Sequence, residues 1–294
     1  FSQSKAFTPS AAITQSDEFS KSAAFSQSVT LPPFDPDENE PSCSVSGSSN
    51  YTITGKRCNF ESTDGSSEVI SIIKSNFTDI NYETHGGAIY IINGGFECSH
   101  VTFTNCSSTS GGGGSIYIKN SYDLDYNITL NNLIFTQCHA IYGGAIYIYY
   151  DSDSKVVSIR SCKFSLNYAS LENPNEKEKY LFGGGSIFLS TKKSTILRCK
   201  FSKEGIGSSI KLFSLFEYPK ERSAKKLLVN SDNLILLSDC SFDNGDEISS
   251  SSIEIEADMR ESTINVMNCK FNGKLADGSH YIEGKLHGNI VDKV

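Results

Sequence analysis

Short apolar runs recur along this chain with a fixed internal step. In the stretch from Val157 to Leu189, Val157-Ser-Ile159 alternates apolar and polar positions, Arg160-Ser161 interrupts, and Cys162-Lys-Phe164 alternates again. A charged loop then leads to Gly183-Gly-Gly-Ser-Ile187-Phe-Leu189. An anchor Phe of this kind falls at Phe60, Phe77, Phe103, Phe135, Phe164, Phe201, Phe242 and Phe271. Two residues earlier stand Cys58, Ser75, Val101, Leu133, Cys162, Cys199, Cys240 and Cys269. Five earlier stand Gly55, Ile72, Cys98, Leu130, Ile159, Ile196, Leu237 and Val266. A Gly- or Ser-rich turn and an Ile follow, at Ile89, Ile116, Ile146, Ile187, Ile210 and Ile253. Apolar residues two apart share one face of a strand. The three-residue step predicts a bend after which the next strand again points inward.

Successive anchors are 17, 26, 32, 29, 37, 41 and 29 residues apart, the range of a solenoid repeat. The strands are short, β-branched and aromatic, with no helical period, so each repeat is a β-coil. A single coil cannot bury its inner face, whereas stacked coils bury a continuous core. The expected fold is all-β: a parallel β-helix of about eight coils over 51–294, in the general manner of pectin lyase-like folds. At about 4.8 Å per coil the rod is roughly 40 Å long. Its handedness is expected to be right, from the preference of parallel crossovers.

Residues 1–30 carry a different repeat. Phe1, Phe7, Ile13, Phe19 and Phe25 each open a hexad of the form F-[ST]-x-S or its Ile equivalent. A Ser/Thr-rich stalk is one reading. The other is an extended strand with one apolar face, reaching on the order of 100 Å, that docks on its own rod or adds to a neighbour's sheet edge. The second makes these five residues assembly candidates. Residues 31–50 read as a Pro-rich acidic linker and cap, since Pro32, Pro33, Pro36 and Pro41 exclude helix and central strand. Leu171–Tyr180 and Glu217–Leu227 read as charged surface insertions, and Glu283–Val294 as a polar end that caps the stack or meets another molecule.

There are nine cysteines. Cys58, Cys162, Cys199, Cys240 and Cys269 share the position two before Phe, and Cys106 and Cys138 the position three after it; Cys98 lies in the inner column. Stacked coils bring such residues within disulfide range, giving Cys162–Cys199, Cys240–Cys269 and Cys106–Cys138 as candidate pairs. A ladder of buried free thiols is the alternative. Asn50, Asn76, Asn105 and Asn127 begin N-x-[ST] acceptors. Together with the Ser/Thr-rich extension these features favour a secretory route and an extracellular or cell-surface location. The chain lacks an initiator Met and a signal peptide, so it is expected to be a processed or excised piece.

The net charge is −8, which argues against a nucleic-acid partner, and no apolar run is long enough to span a membrane. Candidate acids for polysaccharide chemistry are Asp123 with Asp125, Asp151 with Asp153, Asp243 with Asp246, and Glu254 with Glu256. None has Arg or His at the matching position of an adjacent coil. Scattered His and the absence of Cys-x-x-Cys leave no metal or cofactor site to expect. Tyr90, Tyr117, Tyr147 and Phe188 follow the Ile anchors and should form an outer aromatic stripe, either a ligand-binding surface or a cover for the sheet.

Gly-Gly-Ala-Ile at 86–89 and 143–146, with Phe-Ser-Leu-Asn at 164–167, resembles the paired GGA[ILV] and FxxN repeats of chlamydial polymorphic membrane proteins, and similar repeats of large surface proteins of parasitic protists. The likeness covers about residues 51–272. It implies a β-helical surface passenger with adhesive or self-associating roles and no catalytic residues. Only the Phe164 unit carries the FxxN Asn; two units read Phe-x-x-Cys. The expectation is a non-enzymatic structural or adhesive rod whose partner is itself, with a glycan or host-surface ligand as a further partner. A glycan-binding module and a polysaccharide lyase or hydrolase are the rivals.

Overall fold

The computed structural model describes residues 51–54, 56–61, 69–120, 126–150, 152, 154–169, 183–202, 208–213, 233–243, 252–256, 262–272, 282–284 and 290–293. The hexads of Phe1, Phe7, Ile13, Phe19 and Phe25, the linker with Asn50, and the two long insertions lie outside these residues. The described strands belong to one compact unit, Ser42–Phe216 with Ala224–Val294.

These strands form three sheets in which every pairing is parallel. The first runs Tyr51–Thr54, Ser75–Tyr82, Thr102–Ser108, Ile134–Thr136, Lys163–Ser165, Lys200–Ser202, Ser241–Asp243, Lys270–Asn272 in spatial order, with His139–Ala140 and Tyr168–Ala169 extending it. The second runs Cys58–Glu61, Ile89–Ile92, Ile116–Asn120, Ile146–Tyr150, Ile187–Thr191, Ile210–Phe213, Ile253–Glu256, Ile282–Gly284. The third runs Val69–Ile73, Gly95–Ser99, Ile128–Asn131, Val157–Arg160, Ser194–Leu197, Asn233–Ser238, Ser262–Met267, Ile290–Lys293. The chain visits the sheets in turn, so sequence-distant strands become neighbours and the molecule winds as a parallel β-solenoid. The strand Ile290–Lys293 pairs with Ser262–Met267; part of the polar C-terminal stretch therefore continues the third sheet.

The bend between the third and first sheets has a single cause. Lys74, His100, Asn132, Ser161, Arg198, Asp239 and Asn268, each three residues before the anchor Phe, adopt left-handed backbone with φ between 50° and 58°. One such residue turns the chain and restores the inward face. The tight Gly-Gly turn before the second sheet has two causes. Gly143 holds φ +57°, and a Cβ on Gly144 would sit 2.1 Å from the Gly185 carbonyl oxygen, a separation no side chain tolerates.

Inside, residues repeat by kind because the register repeats. Phe77, Phe103, Phe135, Phe164, Phe201, Phe242 and Phe271 form one stack with ring centroids 4.8–5.0 Å apart and planes within 9°. That distance is the strand spacing itself, so the backbone sets the ring stacking. Each ring contributes about 1.5–3 kcal/mol through burial. Ile89, Ile116, Ile146, Ile187, Ile210 and Ile253 form the matching column of the second sheet, and Ile282 continues it.

The first coil departs from the expected alignment. Phe60 pairs with Ile91, and Cys58 with Ile89, so both belong to the second sheet. Ile53 takes the anchor position opposite Phe77. Seventeen residues separate Phe60 from Phe77, too few for three strands and three turns. Cys58 is therefore not part of the thiol column two before Phe.

Candidate functional site

The outward column of the second sheet carries the richest chemistry. Tyr90, Tyr117, Tyr147 and Phe188 are in register and stack at 5.4, 4.8 and 5.0 Å. They form an apolar cluster separate from the main core. The rings are only 2–8% exposed. The turns entering the second sheet fold over them. His85 stacks on Tyr117 at 4.3 Å, and its Nδ1 accepts the Gly112 N–H at 2.8 Å. Tyr142 meets Phe188 edge-on at 6.2 Å. As a ligand-binding stripe the column lacks an open ring face; it is a second interior.

Arg57 closes one end of this column. Its guanidinium lies 3.7 Å over the Tyr82 ring and 5.1 Å from the Tyr90 ring, and Nη1 donates to Thr84 Oγ1 and to the His85 carbonyl. At the other end Lys211 follows Phe188 in register and faces Glu254. The Lys211 Nζ–Glu254 Oε1 distance is 3.3 Å with the lysine side chain 1% exposed, and Ser208 Oγ donates to Glu254 Oε2 at 3.2 Å. Burial moves titrations along the column. It lowers His85 to about 4, helped by Lys119 and Arg57, pushes Tyr90 up to about 12, with Glu61 adding, and raises Tyr117 and Tyr147. Arg57, His85 and Lys211 were not singled out from sequence. The available signal was periodic: Lys211 and Glu254 occupy the position after the Ile anchor, where Tyr and Phe stand in earlier coils.

The thiols pack as stacked free cysteines. Cys98, Cys106, Cys138, Cys162, Cys199, Cys240 and Cys269 are all unbridged and buried. The expected pairs Cys162–Cys199, Cys240–Cys269 and Cys106–Cys138 are thus corrected. In-register residues keep parallel Cα–Cβ vectors about 4.8 Å apart, whereas a disulfide wants Cβ atoms about 3.8 Å apart. Instead the four thiols two before Phe each reach a carbonyl of the preceding coil: Cys162 to Leu130 at 3.9 Å, Cys199 to Ile159 at 3.7 Å, Cys240 to Ile196 at 3.5 Å, Cys269 to Leu237 at 3.9 Å. Neighbouring thiols and burial raise Cys199 and Cys269 and push Cys240 up to about 12; burial alone raises Cys98. Cys58 is disulfide-bonded, to a partner outside the described residues.

The column three after Phe explains Phe-x-x-Asn and Phe-x-x-Cys together. Cys106 Sγ reaches the Phe77 carbonyl at 3.7 Å, Cys138 Sγ that of Phe103 at 3.8 Å, and Asn167 Nδ2 donates to that of Phe135 at 3.3 Å. The three side chains do the same work on successive coils.

The remaining candidates are dispersed. Asn76, Asn105 and Asn127 are exposed. Asn105 Nδ2 donates to Asp79 at 2.7 Å. Asn127 accepts the Val156 N–H through Oδ1, leaving its amide nitrogen outside that bond. Asp243 is exposed on the first sheet, and Glu254 is held by Lys211. Asp123, Asp125, Asp151, Asp153, Asp246 and the side chain of Glu256 lie outside the described residues. Among the described residues no group of three or more His, Cys, Asp or Glu is placed to hold a metal ion, and no helix is long and apolar enough to cross a membrane. No protein-family model, curated protein or solved structure matches this chain.

Proposed function

We propose that this chain is a non-enzymatic structural or adhesive protein of the cell surface or extracellular space. In this reading it is a right-handed rod of about eight coils that self-associates through residues 1–30. The observation that carries it is how the described chemistry-bearing side chains are used. Cys106, Cys138, Cys162, Cys199, Cys240, Cys269, the tyrosines of the outer column, Arg57, His85, Lys211 and Asn167 all bind one coil to the next. The likeness of the Gly-Gly-Ala-Ile and Phe-Ser-Leu-Asn segments to repeats of surface passengers supports the same reading, since Asn167 and the cysteines of Phe-x-x-Cys are interchangeable in place and in hydrogen bonding. Glycans on Asn76, Asn105 and Asn127 would stand on exposed positions without entering the core.

The test is molar mass by light scattering for the full chain and for a version starting at Asp35. The proposal expects oligomers or filaments from the first and monomers from the second. Monomers from both would refute assembly through residues 1–30.

A further inference from the structure

The described residues of two successive coils carry cations and no acids, and the insertion between them adds Glu172, Glu176 and Glu178 with Lys177 and Lys179. Residues 154–169 contain Lys155, Arg160 and Lys163, residues 183–202 contain Lys192, Lys193, Arg198 and Lys200, and neither stretch has Asp or Glu. In a chain of net charge −8 this is a local reversal of sign. The register gathers four of these residues. Lys163 stands directly opposite Lys200, about 4.8 Å away by backbone spacing. Arg160 stands opposite Leu197, which places Arg198 one residue further along the same bend. Arg160, Lys163, Arg198 and Lys200 are all exposed, while the alternating residues Ile159, Cys162, Ile196 and Cys199 are buried. The cations therefore share one outer strip where the third sheet turns into the first.

Folding alone does not ask for this arrangement. Like charges directly opposite on neighbouring strands destabilise a sheet. Arg198 also holds left-handed backbone, φ 54°, which Asn or Gly takes at less cost. Asp239, which follows Arg198 in the bend column, has its carboxylate engaged by Ser238 Oγ at 2.9 Å and Asn268 Nδ2 at 3.3 Å. Ser158 Oγ accepts Arg160 Nε at 2.8 Å and Thr195 Oγ1 at 3.4 Å, which holds the guanidinium against a row of hydroxyls. Ser165 and Ser202 pair beside the lysines on the first sheet.

We propose that this strip binds a linear anionic polysaccharide, its sulfate or carboxylate groups meeting the cations and its hydroxyls the Ser and Thr row. A single-stranded nucleic acid fits less well, because it favours open aromatic rings for base stacking. Among the described residues of these coils, the rings of Phe164, Phe188 and Phe201 are buried, and Tyr168 is stacked on His139. The site is independent of the assembly proposal, since it uses none of residues 1–30.

The test titrates the full chain with heparin, with polygalacturonate and with single-stranded DNA. Binding to a polysaccharide that weakens linearly with the logarithm of salt is expected; the tighter of the two assigns sulfate or carboxylate. Changing Arg160, Lys163, Arg198 and Lys200 together to Ser should weaken it roughly tenfold or more, with circular dichroism unchanged. Lys163→Arg with Lys200→Arg should retain it. Changing Lys56 and Lys74, exposed cations near the first coils, to Ser should leave affinity within about twofold, whereas Lys163→Ser with Lys200→Ser removes the same charge and should weaken it several-fold. Equal losses from these two double variants, no polysaccharide binding, or tighter binding to DNA would each overturn the proposal.

Discussion

Asn167 holds the coil before it from inside: its Oδ1 accepts the buried Cys138 N–H at 2.9 Å while its Nδ2 donates to the Phe135 carbonyl and to Ser186 Oγ at 3.3 Å each. The side chain is fully buried, so nothing else, water included, replaces these bonds. Asn167→Ala should lose about 2–4 kcal/mol in urea unfolding, because it orphans a buried donor and a buried acceptor. Asn167→Cys, which copies the neighbouring coils, should lose less. Equal losses from the two would contradict the equivalence of Asn and Cys in this column.

His85 makes stability pH-dependent. Its folded pKa, about 4, lies below the ordinary histidine value of 6.5, so the folded state favours the neutral ring. The contribution is complete above the unfolded pKa and is lost as pH falls from 6.5 towards 4, at up to about 1.4 kcal/mol per pH unit. Burial lowers His139 as well, so wild type must be compared with a variant at one site. The stability gap between wild type and His85→Gln should narrow by about 1–2 kcal/mol between about pH 7 and about pH 5. A gap that stays constant would show that His85 titrates normally.

Lys211 and Glu254 replace two rings of the outer column with a partly buried ion pair. Removing one partner alone leaves a charge uncompensated, so Lys211→Met should cost about 3 kcal/mol. Lys211→Tyr combined with Glu254→Gln extends the stack of Tyr147 and Phe188 and should recover most of that loss. A double variant no better than the single one would mean that the pair, rather than ring packing, holds this end of the column.

The stacked thiols should be inert in the folded protein. With Cys162, Cys199 and Cys240 at most 1% exposed and their neighbours raising the titration of Cys199 and Cys240, a water-soluble thiol reagent near pH 8 should label them only after denaturant is added. Rapid labelling of the native chain would contradict the packing.

The sequence displays the winding because the columns are chemically uniform: seven in-register Phe and an unbroken Ile column need no structural insight to align. It misleads where a column changes residue type. Ile53 stands in for Phe at the first coil, so Phe60, a residue of another sheet, was aligned in its place. Lys211 and Glu254 hide the continuation of the aromatic column for the same reason. Proximity of cysteines was legible from register, but bonding was not, because disulfide formation depends on Cβ direction, which spacing alone does not encode. The cover over Tyr117 was invisible too, since His85 lies in a turn with no periodic signature. The cationic strip of Arg160, Lys163, Arg198 and Lys200 emerges only when the register places Lys163 beside Lys200.

The central claim is that strands nearly two hundred residues apart are joined by a regular stack. Thr78, Thr104, Thr136, Ser165, Ser202, Asp243 and Asn272 form one outward column, so Thr78 and Asn272 are six rungs apart, about 29 Å. Spin labels on Thr78→Cys and Asn272→Cys, attached while the native thiols are buried, report this distance by double electron–electron resonance. Dilution with unlabelled protein confines the signal to pairs within one chain. The account predicts a single narrow distribution centred within about 5 Å of that value. A centre beyond about 40 Å, or a broad distribution, would contradict the stack.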